Sequence, residues 1–355
     1  MENHSYRESE ALRPTSLDKA PTYIDGLDHI LKGGLPRGRT TVASGTVGSG
    51  KTLFGLEFLY RGALHGEAGI FVGFEESTQQ LRENAATLGW DLENLEKQNR
   101  LVLLDGRIKP ETVISGGFSL KGLLAVASGT QRKRNARRIV IDALEVALRL
   151  FDNPQTMRNE LHALNTWLQE AGLSAVLTIR QARGVPSAYE EFFDSLADCL
   201  VRLDARVDAQ ITTRRLRVIK YRGSDFGRNE YLYTITMGGL RLAPISTVGL
   251  RHKPLGEHMT TGILRLDDML GGGYRRGACI LFAGLPGTGK TLLASTFVAQ
   301  ACGRGERVLY IGFEESEAAM LENVRSAGLD LKTHADAGCL SFLVHYPEAM
   351  GAEDH

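Results

Sequence analysis

Apolar positions along the first two thirds of the chain switch repeatedly between two spacings. Short, nearly continuous apolar runs occur at residues 39–44 (RTTVAS), 68–74 (AGIFVGF), 101–104, 138–142 (RIVID) and 175–178 (AVLT). Runs of this length read as buried strands. Between them lie stretches with helical spacing. Residues 51–64 place Leu53, Leu56 and Leu59 or Tyr60 on one side. Residues 78–88 form a second such stretch and 156–169 a third, with a stop at Gly172. Strand–helix alternation predicts an α/β fold, a mainly parallel sheet flanked by helices. From Ala197 to Thr236 the pattern changes. CLVRLDA, RRLRVIKY and YLYTIT read as successive strands, which predicts an antiparallel edge.

The chain also repeats itself. GTVGSGKTL begins at Gly45 and GLPGTGKTL at Gly284; VGFEES begins at Val72 and IGFEES at Ile311. Both pairs stand 239 residues apart, and the same offset lays Ile24 on Ile263 and Leu31 on Leu270. A period this long means duplicated domains and not a solenoid. Length alone, at 355 residues, would suggest two ordinary domains. The register changes that picture, because residue 355 corresponds to position 116 of the first copy. The expected organisation is a flexible N-terminus over 1–15, a complete unit over 16–247, and a second unit over 248–355 that breaks off before its C-terminal part.

Each copy carries GxxxxGK[ST], at residues 45–52 and 284–291. Both are expected to follow a strand and open a helix, the context the motif requires. Backbone N–H groups of such a loop converge on phosphates, and the helix N-terminus adds partial positive charge. Thr46, Gly48, Ser49, Gly50, Lys51 and Thr52 are therefore candidate ATP contacts, with Gly287, Thr288, Gly289, Lys290 and Thr291 as counterparts. Lys51 and Lys290 would reach the β- and γ-phosphates. The hydroxyls of Thr52 and Thr291 would ligate Mg2+. Asp142 ends the RIVID run and fits the acid that helps hold that cation. Phe-Glu-Glu occurs twice, at 74–76 and 313–315. A carboxylate at that strand end can polarise water for attack on a γ-phosphate, which nominates Glu75 and Glu314 as catalytic. Acids also suit the start of the following helix. The second acid of each pair reads as structural or metal-linked, with Glu315 a metal candidate.

Composition narrows the partners. Lys+Arg and Asp+Glu are both 42, so the chain is no globally basic nucleic-acid binder. Five cations in residues 131–138 read as a solvated helix end or loop. No apolar run approaches the roughly 20 residues that span a bilayer. The polar N-terminus lacks a signal-peptide core. None of the four cysteines forms a CxxC pair, so neither a zinc ribbon nor a redox motif is suggested and a cytoplasmic location is expected.

Together these motifs identify a family. IDGLDHILKGGLPRGRTTVASGTVGSGKTL, FEES with NAATLGWDL, RRIVID and IKYRGSDFGRNEYLYTIT resemble the KaiC family of tandem RecA-type ATPases, as do GILRLDDMLGGGYRRG, GLPGTGKTLL and FEES in the second copy. The resemblance implies a RecA-like P-loop NTPase fold and a homo-oligomeric, hexameric ring with ATP between subunits. It makes the first Glu of each FEE, Glu75 and Glu314, the general base. It makes Lys220, Tyr221, Arg222 and Ser224 part of a segment reaching the neighbour's nucleotide, with Lys220 and Arg222 as charge-stabilising fingers. Thr87 and Thr236 fall where the family contacts nucleotide. Two positions depart from the pattern: Phe226 replaces a phosphate-contacting histidine, and Ala327 replaces an aromatic residue beside the base. The second copy has no counterpart of Asp142, Lys220 or Arg222. The function expected is ATP hydrolysis in a signalling or circadian-type switch, read by Kai-type or other signalling proteins. A Ser/Thr kinase that phosphorylates itself and a DNA-directed RecA/RadA-like ATPase are the alternatives.

Overall fold

The computed structural model describes residues 17–107, 119–151, 153–181, 188–208, 211–242 and 254–344. The expected N-terminal tail and the joint at 247/248 lie outside the described residues. The chain divides into two compact units, Met1–Thr247 and Val248–His355.

The first unit opens with an antiparallel pair, β1 (Lys19–Ala20) and β2 (Leu35–Pro36). Nine further strands form one sheet: β3 (Thr40–Gly45), β4 (Gly69–Gly73), β5 (Leu101–Asp105), β6 (Arg138–Asp142), β7 (Ser174–Arg180), β8 (Cys199–Asp208), β9 (Ile211–Tyr221), β10 (Glu230–Thr236) and β11 (Gly239–Leu242). Their order across the sheet is β11-β10-β9-β8-β3-β7-β6-β4-β5. The six from β8 to β5 run parallel; β9, β10 and β11 each run antiparallel to their neighbours. This is the expected α/β, RecA-like architecture with its antiparallel edge.

The sequence builds it simply. Parallel strands buried on both faces need apolar side chains in both directions. In β6, Val140 packs on the face of helix Lys51–Leu64, against Gly55, while Ile139 and Ile141 pack on the other face. That second face is covered by Met157, Leu161, Leu164 and Leu168 of helix Pro154–Glu170. Pro154 fits the first turn because it lacks the N–H that would go unpaired there, and Asn153 caps the end by accepting from Gln155 N.

The second unit has an antiparallel pair, β12 (His258–Met259) with β13 (Tyr274–Arg275), and a parallel pair, β14 (Val308–Gly312) with β15 (Leu340–Val344). The helices Lys290–Gly303 and Glu317–Ser326 stand between. The strand expected to lead into the second phosphate loop is absent: residues 278–285 take no strand. The physical reason lies in the first unit. There the equivalent strand, β3, is held by β7 on one side and β8 on the other. Neither neighbour has an equivalent among the described residues of the second unit, so CILFA has no ladder to join. Its Leu281 is 86% exposed.

Candidate nucleotide site

β3 ends at Gly45, and the chain turns through residues 46–50 into helix Lys51–Leu64. Gly48 and Gly50 have φ of 76° and 78°, a left-handed conformation that only glycine adopts at no cost. The turn is fixed by its own polar groups. Ser49 Oγ and Lys51 Nζ each donate to Thr46 O at 2.8 Å. Neighbouring strands hold it from outside. Ala205 N of β8 donates to Thr46 Oγ1 at 3.1 Å, and the Tyr233 hydroxyl of β10 donates to Ser49 O. Glu57, buried in the loop helix, accepts from Leu240 N at 2.8 Å and from Arg61, tying β11 to the same helix. Burial lowers the pKa of the Lys51 ammonium; the nearby Glu145 and Asp142 carboxylates oppose that shift.

Asp142 stands at the end of β6, beside Gly73 of β4. It is buried. Its Oδ2 accepts from Thr52 Oγ1 at 2.9 Å and its Oδ1 from Thr178 Oγ1 at 2.6 Å. Burial pushes its pKa up to about 6, against the pull of those two hydroxyls. The Thr52 hydroxyl and the Asp142 carboxylate thus offer two hard oxygens side by side next to the phosphate loop. Mg2+ is held in just this way, by one or two protein oxygens plus water and substrate phosphates, and not by an all-protein cage. The donor set fits it. No cluster of three His, Cys, Asp or Glu competes as a metal site among the described residues.

The two acids after β4 separate. Glu75 is half exposed, with Arg180 Nη2 at 3.8 Å from its Oε1. Glu76 accepts from Asn84 Nδ2 at 3.1 Å and leans on the next helix. Ser77 caps that helix in a capping box with Gln80.

The second loop repeats the turn. Gly287 and Gly289 have φ of 80° and 88°. Thr288 Oγ1 donates to Leu285 O at 2.8 Å, and Lys290 Nζ donates to Gly284 O at 2.8 Å and Leu285 O at 3.0 Å. Glu315 accepts from Asn323 Nδ2 at 2.9 Å, as Glu76 does from Asn84. Glu315, Asn323 and Ala327 line one cleft of about 280 Å³ with Lys290 and Thr291. Glu314 lines a second cleft of about 200 Å³ that also includes Thr291.

Residues 20–247 and 259–354 match the family model for the KaiC ATPase. The chain is 40% identical over 331 residues to the circadian clock protein KaiC2 of Synechocystis sp., covering 92% of this chain and 58% of that protein. It is 37% identical over 346 residues to the circadian clock oscillator protein KaiC of Synechococcus elongatus, covering 96% of this chain and 66% of that protein. The chain belongs to the KaiC family.

Of the remaining KaiC-family candidates only Thr236 lies close to this loop. β8 meets β3 at Leu203↔Gly45 near the phosphate loop and at Cys199↔Thr41 at the far end, and Tyr221 pairs with Cys199. Lys220, Tyr221, Arg222 and Ser224 therefore sit at the sheet end away from their own phosphate loop. Lys220 Nζ donates to Asp194 O at 2.7 Å, and Arg222 Nη2 to Ser195 O at 2.8 Å. Tyr221 is buried, its hydroxyl donating to Gly34 O at 2.9 Å, and Phe226 packs near its ring. Ser224 accepts from Lys19 Nζ at 2.6 Å. Thr87 ends its helix with its hydroxyl on Asn84 O at 2.7 Å, and Thr236 ends β10, one residue past the Ile235 that lies against Gly50.

Four residues around this candidate site escape sequence reasoning: Thr178, Arg180, Tyr233 and Glu145. Glu145 is buried, its Oε2 has no hydrogen-bond partner, and burial raises its pKa. Its position three residues beyond Asp142 was the available signal. Among the described residues no helix is long and apolar enough to cross a membrane.

Proposed function

We propose that the first unit binds Mg·ATP at residues 45–52 and hydrolyses it at the interfaces of a homo-oligomeric, hexameric ring. The observation that carries the reading is the contact between Thr52 Oγ1 and Asp142 Oδ2 at 2.9 Å, beside a correctly turned phosphate loop. Lys51 and the backbone N–H groups of the loop bind the phosphates. Thr52 and Asp142 would hold magnesium, which would supply charge neutralisation at the phosphate oxygens. Glu75 takes a proton from the attacking water as the new O–P bond forms and the β–γ bridging P–O bond breaks, with ADP leaving. Lys220 and Arg222, remote from their own loop, suit a role at the next subunit's site, where cations stabilise charge developing on the transferred phosphoryl group. The names of the relatives, both circadian clock proteins, favour a slow signalling switch read by Kai-type or other proteins.

Two measurements test this. Glu75→Gln lowers ATP turnover by about a hundredfold or more while ATP still binds; unchanged turnover overturns the role of Glu75. Light scattering shows a hexamer-sized mass with ATP, and Arg222→Ala then lowers turnover without preventing nucleotide binding. A monomer in ATP removes the interface site.

A further inference from the structure

The hairpin of β8 and β9 carries a cluster that the phosphate loop does not use. Its register sets Arg202 directly across from Arg217, and Asp204 across from Arg215. Like charges directly opposite each other on a sheet repel. Arg206 completes four guanidinium groups around one cleft of about 260 Å³, with Gln181 in its wall. The carboxylates present are already engaged. Arg206 pairs with Asp204 and with Glu230, both at 2.8 Å, and Arg215 pairs with Glu230 at 3.2 Å. Arg202 and Arg217 take no carboxylate among the described residues. The Nε atoms of Arg202 and Arg215 are shut off from solvent and donate to nothing. A buried donor without an acceptor carries a desolvation penalty that a bound acceptor would remove.

We propose that this cleft binds a small phosphate-class oxyanion, the size of orthophosphate or pyrophosphate, clamped between Arg202 and Arg217. Guanidinium forks match phosphate oxygens in pairs, with short charge-assisted hydrogen bonds. Asp204 connects the cleft to the first phosphate loop, since Thr46 Oγ1 lies 3.4 Å from Asp204 Oδ1. The proposal does not require that ATP be hydrolysed.

Phosphate loops also bind phosphate, so the test starts from the full chain carrying both Lys51→Ala and Lys290→Ala. Orthophosphate and pyrophosphate are titrated separately by calorimetry, at constant ionic strength made up with chloride. The expected result is one saturable site per chain for at least one of the two anions. Adding Arg217→Gln weakens it by about tenfold or more, the equivalent of one charge-assisted contact. Arg217→Gln also removes the repulsion with Arg202, so its thermal unfolding in chloride is unchanged or raised, and lost binding is not lost folding. No binding in the double-alanine background assigns all phosphate affinity to the loops and overturns the proposal. Affinity unchanged by Arg217→Gln and by Arg202→Gln overturns it as well.

Discussion

Lys51 and Lys290 each donate to a carbonyl of their own loop, Thr46 O at 2.8 Å and Leu285 O at 3.0 Å. The paired glycines of the two loops differ in φ by only a few degrees to about ten degrees. Beyond the loops the likeness stops. β3 is buried along its length and hydrogen-bonded on both sides, whereas residues 278–285 form no strand. Ile70 and Val72 of β4 are 0% exposed; their counterparts Leu309 and Ile311 of β14 are 59% and 51% exposed. Thr52 has Asp142 beside it, and Thr291 has no such partner among the described residues. The phosphate-loop turn is therefore encoded locally, by glycines and contacts spanning a few residues. The strand behind it and the acid beside it depend on chain that follows 90 or more residues later.

The largest contrast concerns turnover. Lys51→Ala lowers steady-state phosphate release on the order of a thousandfold, in line with other cations that meet the transferred phosphoryl group. Lys290→Ala changes it less than about twofold, because among the described residues no acid bonds Thr291 as Asp142 bonds Thr52. Equal losses from the two substitutions would break the distinction between a hydrolytic and a merely binding site.

Stability gives the next contrast. Ile70→Ala opens a cavity in a closed core and costs about 2–5 kcal/mol. Leu309→Ala, at the equivalent position 239 residues later, costs no more than about 0.5 kcal/mol. Urea unfolding followed by hydrogen exchange in each unit separates the two. A Leu309→Ala cost as large as that of Ile70→Ala would mean that β14 is covered on the face shown here as open.

The difference between the loops also marks what a sequence can disclose. The turns at 45–52 and 284–291 and the place of Asp142 at a strand end were legible, because each is confined to a few consecutive residues. The antiparallel edge was legible from β-rich runs at short intervals. Thr178 was not, since its bond to Asp142 arises only from the register of β6 on β7 across 36 residues. Tyr233 reaches Ser49 across 184 residues for the same kind of reason. CILFA looks as strand-like as RTTVAS, and only the presence of flanking strands decides between them. Local pattern states a preference; non-local hydrogen bonding determines whether it is realised.

The smallest effect tests how far the first loop depends on those distant contacts. Tyr233 is buried, and its hydroxyl donates to Ser49 O, inside the phosphate-loop turn. Removing the hydroxyl with Tyr233→Phe leaves the ring in place and the carbonyl without its donor, which costs about 1 kcal/mol. The second loop has no such tether among its described residues, yet it holds the same turn. The turn itself should therefore survive in Tyr233→Phe, and only its rigidity should fall. Amide exchange at Ser49 and Gly50 should quicken by about fivefold, while exchange at Thr288 and Gly289 stays as it was. Exchange at Ser49 unchanged by Tyr233→Phe would show that the loop's own contacts, Ser49 and Lys51 on Thr46 O, suffice in both units, and that the β10 tether serves only to hold the sheet edge in place.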